Sequence, residues 1–145
     1  MKLIVIAFAF VLVPMMHAQA GQARRATLEQ QKMCDEQARK KFNEDYGTRK
    51  GYDYEYTSHF DARANVCYML VHGTADACCT VSYLVYDAFE GRVYASYVWI
   101  NPEHKKGWEV DPTDCSVKPR GQASIVCKSS DEFEDLVDKY FGISR

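Results

Sequence analysis

The stretch that decides how this chain reads is Tyr52-Asp53-Tyr54-Glu55-Tyr56-Thr57-Ser58-His59-Phe60-Asp61, then Ala62-Arg63-Ala64-Asn65, then Val66-Cys67-Tyr68-Met69-Leu70-Val71-His72. Two runs rich in aromatic and β-branched residues flank a short polar turn, which is the pattern of a β-hairpin. If Ala62-Arg63-Ala64 forms the loop, Asp61 faces Asn65, His59 faces Cys67 and Thr57 faces Met69. A loop of two or four residues would shift that register.

Downstream, His72 to Ala77 reads as a loop, Thr80 to Ala88 as a third strand and Val93 to Ile100 as a fourth, with Glu90-Gly91 as the turn between them. Apolar residues fall on both faces of these strands, as expected of a sheet covered on one side and partly on the other. Asn101 to Asp114 carries Pro102, Gly107 and Pro112 and reads as loop. Cys115 to Cys127 reads as a short hairpin around Pro119-Arg120-Gly121, which sets the two cysteines opposite each other.

A helix is predicted at each end of this sheet. Thr27 and Gln30 have capping-box spacing, Cys34, Ala38, Phe42 and Tyr46 recur every fourth residue, and Gly47 marks the stop. At the other end Ser129 and Glu132 repeat the cap. Phe133, Leu136, Val137, Tyr140 and Phe141 form an apolar stripe, and Gly142 follows it. The expected fold class is α+β: an N-terminal helix, an antiparallel four-strand meander, a disulfide-closed hairpin, and a C-terminal helix packed on the sheet.

Residues 1–20 read as a signal peptide. Lys2 precedes the apolar run Leu3 to Val13, Pro14 ends it, and Ala18-Gln19-Ala20 places small residues where a peptidase cuts. That run falls short of the roughly 20 apolar residues of a membrane helix, so no stable span is expected after cleavage. Residues 21–26 read as a disordered tail and 27–145 as one domain. Without Lys2, 17 basic residues stand against 20 acidic ones, a formal charge of about −3 that argues against nucleic acid as a partner. All six cysteines, Cys34, Cys67, Cys78, Cys79, Cys115 and Cys127, lie beyond residue 20. An even count in an exported chain, periplasmic or secreted, reads as disulfides. The expected pairs are Cys115–Cys127 and Cys34–Cys67. Cys78 and Cys79 then remain, for a strained bond to each other, for other pairings among the six, or for a bond between chains.

Several constellations invite a chemical reading. Ser58, His59 and Asp61 suggest a hydrolase, but successive strand residues leave on opposite faces, so Ser58 and His59 diverge. His59 opposite Cys67 suggests a thiolate–imidazole pair, against which stands a structural disulfide at Cys67. His72 with Cys78 and Cys79 lacks the spacing and the fourth ligand of a zinc site. Tyr52, Tyr54 and Tyr56 alternate along one face and, with His59, form a candidate ligand face. Packing beneath the first helix explains the same tyrosines. No cofactor signature is present.

The stretches Tyr56-Thr57-Ser58-His59-Phe60-Asp61 with Asn65 and Cys67, Asp87-Ala88-Phe89-Glu90-Gly91, and Cys127 with Ser129-Ser130-Asp131-Glu132-Phe133 resemble those of small exported bacterial proteins of unassigned function. The resemblance runs from about Cys34 onward and implies export and a four-cysteine framework, with Cys78-Cys79 outside the pattern. The leading expectation is a non-enzymatic envelope or secreted module that binds a protein, peptide or glycan through its sheet edge or loops. The alternatives are a small hydrolase or thiol-dependent enzyme using His59 with Cys67 or Asp61, and a redox sensor using Cys78 and Cys79.

Overall fold

The computed structural model describes residues 25–75, 79–101, 105–106 and 109–143. The leader reading over residues 1–20 and most of the tail lie outside them. Ala26, at the end of the tail, packs at the margin of the core that holds Cys34, Cys67 and Met69.

Helix α1 spans Leu28–Tyr46. Thr27 Oγ1 accepts from the Gln30 amide at 3.2 Å, and Gln30 Oε1 accepts from the Thr27 amide at 2.9 Å. This capping box satisfies two amides that the first turn leaves without intrahelical partners. Six strands follow: β1 Tyr52–Asp61, β2 Val66–Ala75, β3 Thr80–Asp87, β4 Val93–Ile100, β5 Asp114–Val117 and β6 Ile125–Val126. They form one antiparallel sheet in chain order, so the disulfide-closed hairpin β5–β6 extends the four-strand meander. Helix α2, Ser130–Phe141, closes the described chain. Ser129 Oγ accepts from the Glu132 amide at 3.1 Å. The Glu132 carboxylate accepts from the Lys128 amide, one residue before the position a capping box would use. Gly142 ends the helix at φ 64°, the left-handed conformation that glycine adopts at low cost. Among the described residues no helix is long and apolar enough to cross a membrane.

The sheet is covered on both faces, and β2 shows why. Every residue from Val66 to Val71 is buried, although alternate side chains point in opposite directions. Cys67, Met69 and Val71 face α1 and join Cys34, Ala38, Phe60 and Tyr86 in one core. Val66, Tyr68 and Leu70 face α2 and join Phe133, Val137 and Phe141 in the other. Full burial of a side chain such as Phe133 stabilises by roughly 1.5–3 kcal/mol. A disulfide braces each core. Cys34–Cys67 ties α1 to β2 with Cα atoms 5.3 Å apart. Cys115–Cys127 ties β5 to the chain just after β6, at 5.1 Å.

Three local expectations are corrected. The β1–β2 loop has four residues, so Asp61 pairs with Val66, Phe60 with Cys67 and His59 with Tyr68. The Asp61 carboxylate sets that length by accepting from the Arg63 and Ala64 amides at 2.8 and 3.1 Å, and Asn65 closes the loop at φ 53°. Second, His72 to Ala75 continue β2 instead of forming a loop, because Gly73 leaves room for the Tyr54 ring on the neighbouring strand. Third, the chain between β5 and β6 runs from Lys118 to Ser124, longer than the three-residue turn, while Cys115 and Cys127 stay in register.

Candidate functional site

The residues singled out from the sequence do not converge. Cys67 is bonded to Cys34 inside the α1 core, so it carries no thiol for His59. The corrected register also puts His59 on the other face of the sheet, half-buried beside Gly142 at the end of α2. Ser58 points towards α1, and its hydroxyl donates to Asp35 at 3.2 Å. One oxygen of Asp61 is occupied by the loop amides. The Ser58–His59–Asp61 set is therefore split between two faces and a turn.

The tyrosine row divides as well. Tyr56 meets Phe42 with ring centroids 4.7 Å apart, and Tyr54 meets Tyr46 at the same distance. Both are half-buried under α1, and burial raises the Tyr56 pKa. Tyr52 stacks on Tyr54 at 5.5 Å and is 44 % exposed. His59 lies across the sheet from all three, so the four residues do not make one ligand face. His72 accepts or donates at Nδ1 to the Glu55 carboxylate at 2.9 Å and stacks on Tyr83 at 4.8 Å. Cys78 lies outside the described residues, and with it any bond to Cys79. Cys79 sits at φ 83°, and its carbonyl accepts from the Asn101 amide at 2.7 Å. Among the described residues no group of three or more His, Cys, Asp or Glu is placed to hold a metal ion.

A concave feature lies elsewhere, over β3 and β4 at the start of α2. Tyr83 pairs with Tyr97 and Val81 with Trp99, so these four side chains share the α2 face. They floor a cavity of about 580 Å³ whose far walls are Val110–Pro112 and the residues from Lys128 to Asp131, with Glu134. Trp99 Nε1 donates to the Val110 carbonyl at 3.0 Å and so pins that wall to the sheet. Tyr83 and Tyr97 lie 5.5 Å apart, and Phe133 contacts both at 5.8 and 5.6 Å. Burial raises the Tyr97 pKa, and the Ser130 hydroxyl beside it works in the opposite direction.

A second cavity of about 250 Å³ shares Tyr83 and Glu134 with the first and runs along α2 past Asp135 and Asp138. Among the described residues the two together are edged by five carboxylates, Asp111, Asp131, Glu134, Asp135 and Asp138, against the single cation Lys128. The arrangement sets an acidic rim over a floor in which Tyr83 and Tyr97 are buried and Trp99 is half-buried, which suits recognition of a cationic group by the carboxylates. None of these residues stands out as a site in the sequence. The available signal is the i, i+2 spacing of Val81 with Tyr83 and of Tyr97 with Trp99, on strands joined by a tight turn. Against models of protein families, curated proteins and solved structures, the chain has no match in any of the three comparisons.

Proposed function

We propose that the chain is an exported, non-enzymatic binding module whose site is the groove between β3, β4 and the start of α2. One observation carries this reading: an aromatic-floored cavity of about 580 Å³, within the range of pockets that take ligands. The rim chemistry favours a positively charged partner segment, such as a lysine- or arginine-bearing peptide, over a neutral glycan. Export is supported by the leader pattern at residues 1–20 and by two disulfides, which persist in oxidising compartments. The resemblance to small exported bacterial proteins points the same way. The catalytic alternatives gain no support, since Cys67 is bonded and Ser58 and His59 face opposite ways.

The test is a photo-reactive residue at Asp131, on the groove wall, compared with one at Lys32 on the outer surface of α1. Illumination in the cell envelope should give a discrete adduct from Asp131, suppressed by excess arginine-rich peptide, and none from Lys32. Equal adducts from both positions, or none from Asp131, would overturn the groove as the site.

A further inference from the structure

At the opposite end of β4 from the groove is a cleft of about 520 Å³ with the reverse charge. Arg92, Val93 and Tyr94 form one wall, and the β5–β6 turn, from Lys118 to Gln122, forms the other. Among the described residues three cations line it and no carboxylate does. This is notable in a chain of formal charge −2 whose other groove is edged by acids.

The cleft is held open by its own backbone. The Lys118 amide donates to the Tyr94 carbonyl at 2.6 Å, which fixes the two walls to each other. The Gln122 amide donates to the Pro119 carbonyl at 3.2 Å, and Gly121 at φ 70° lets the turn fold tightly. Arg120 is anchored through one nitrogen, Nη1, which donates to the Ala64 carbonyl at 2.7 Å. A guanidinium carries five N–H donors, so most of that fork remains for a ligand. Arg92 meets Glu90 at 3.2 Å, but both side chains are more than half exposed, and such pairs are weak and readily exchanged.

We propose that this cleft binds a phosphate monoester carried on a small polar body such as glycerol or a sugar. A carboxylate needs only one fork, whereas a dianionic phosphate with three free oxygens can engage Arg92, Lys118 and Arg120 together. The volume exceeds that of a bare phosphate and leaves room for the attached body, with Gln122 as a neutral polar side chain in the lining. Three cations are few for a nucleic-acid backbone, whose binders neutralise many phosphates. Tyr94 is 4 % exposed and offers no open ring face for a base.

The experiment is an amide NMR titration of the purified chain with glycerol 3-phosphate, with glycerol and sodium chloride at matched ionic strength as controls. Saturable shifts at residues 118–122 are expected with the phosphate ester and not with the controls. Lys118→Gln and Arg92→Gln make no side-chain contact to the backbone that the fold requires, and each should weaken binding by about tenfold, as loss of one charge-assisted hydrogen bond does. Vesicles of phosphatidic acid against phosphatidylcholine separate the sources of the phosphate. Binding to the former, lost in the same variants, supports the proposal with a lipid headgroup as carrier. No saturable shift together with no vesicle binding would overturn it, as would binding that both variants leave intact.

Discussion

Tyr54 lies over Gly73, its ring so close that a Cβ built on the glycine would stand 2.5 Å from Cε1 and 2.7 Å from Cδ1. The two residues face each other across β1 and β2, and the same ring rests on Tyr46 of α1. Gly73 thus lets the aromatic layer lie close to the sheet. Its φ is not in the left-handed region, so the constraint is one of space alone. Gly73→Ala should cost about 1–3 kcal/mol, the usual penalty of overpacking. Urea denaturation would check this, and the cost should shrink in a Tyr54→Ala background. An unchanged midpoint in the otherwise native chain would mean that the ring moves aside freely.

The two disulfides close loops of different length, with sequence separations of 33 and 12. In the chain-entropy description, removing the longer loop costs roughly 3.7 kcal/mol and the shorter roughly 2.8 kcal/mol. Cys34 and Cys67 are also fully enclosed under α1. The Cys34→Ala, Cys67→Ala double variant should therefore be less stable than the Cys115→Ala, Cys127→Ala one. Equilibrium unfolding of both without reductant measures the order. The reverse order would show that native-state packing around Cys115 outweighs loop length.

The fold was largely legible because the strongest signals were periodic. Phe133, Val137 and Phe141 are buried as their spacing requires, and Thr27, Gln30 and Ser129 form the caps that their positions suggest. What failed was register, which depends on how one carboxylate is used. Asp61 holds two loop amides and lengthens the turn by one residue, which sends His59 to the face away from Cys67. Asp87 does the same in Asp87-Ala88-Phe89-Glu90-Gly91, where its carboxylate accepts from the Phe89 and Glu90 amides at 2.8 and 3.2 Å. Asp61 and Asp87 thus both serve turns. The groove was not legible, because the wall from Lys128 to Asp131 meets the cross-strand pair Tyr83 and Tyr97 only once α2 has packed.

Buried tyrosines make stability fall at high pH. Burial pushes the Tyr68 hydroxyl up to about 12 from an unperturbed 10.0, and burial likewise raises Tyr86. Below pH 10 both folded and unfolded states keep the Tyr68 proton, and its contribution is complete. Above pH 10 the unfolded chain ionises first, so the folded state binds more protons and the contribution is lost as pH climbs through about 12. The amount at stake is on the order of 2 kcal/mol. Urea midpoints between pH 8 and 11.5 should fall more steeply in the native chain than in Tyr68→Phe. Superimposable curves would rule out this source.

Gly142 presents the converse of Gly73. Its φ of 64° is strained for any residue with a side chain, whereas an added Cβ would stand 3.4 Å from His59 Nε2, at ordinary contact distance. Gly142→Ala should therefore cost about 1 kcal/mol through backbone conformation alone. If so, His59→Ala gives no relief, and the two substitutions combine to within about 0.5 kcal/mol of additivity in a double-mutant cycle. A penalty that disappears in the His59→Ala background would mean that the imidazole is held rigidly against the helix end. His59 would then act as a packing stop for α2, which the half-buried ring beside Gly142 does not by itself require.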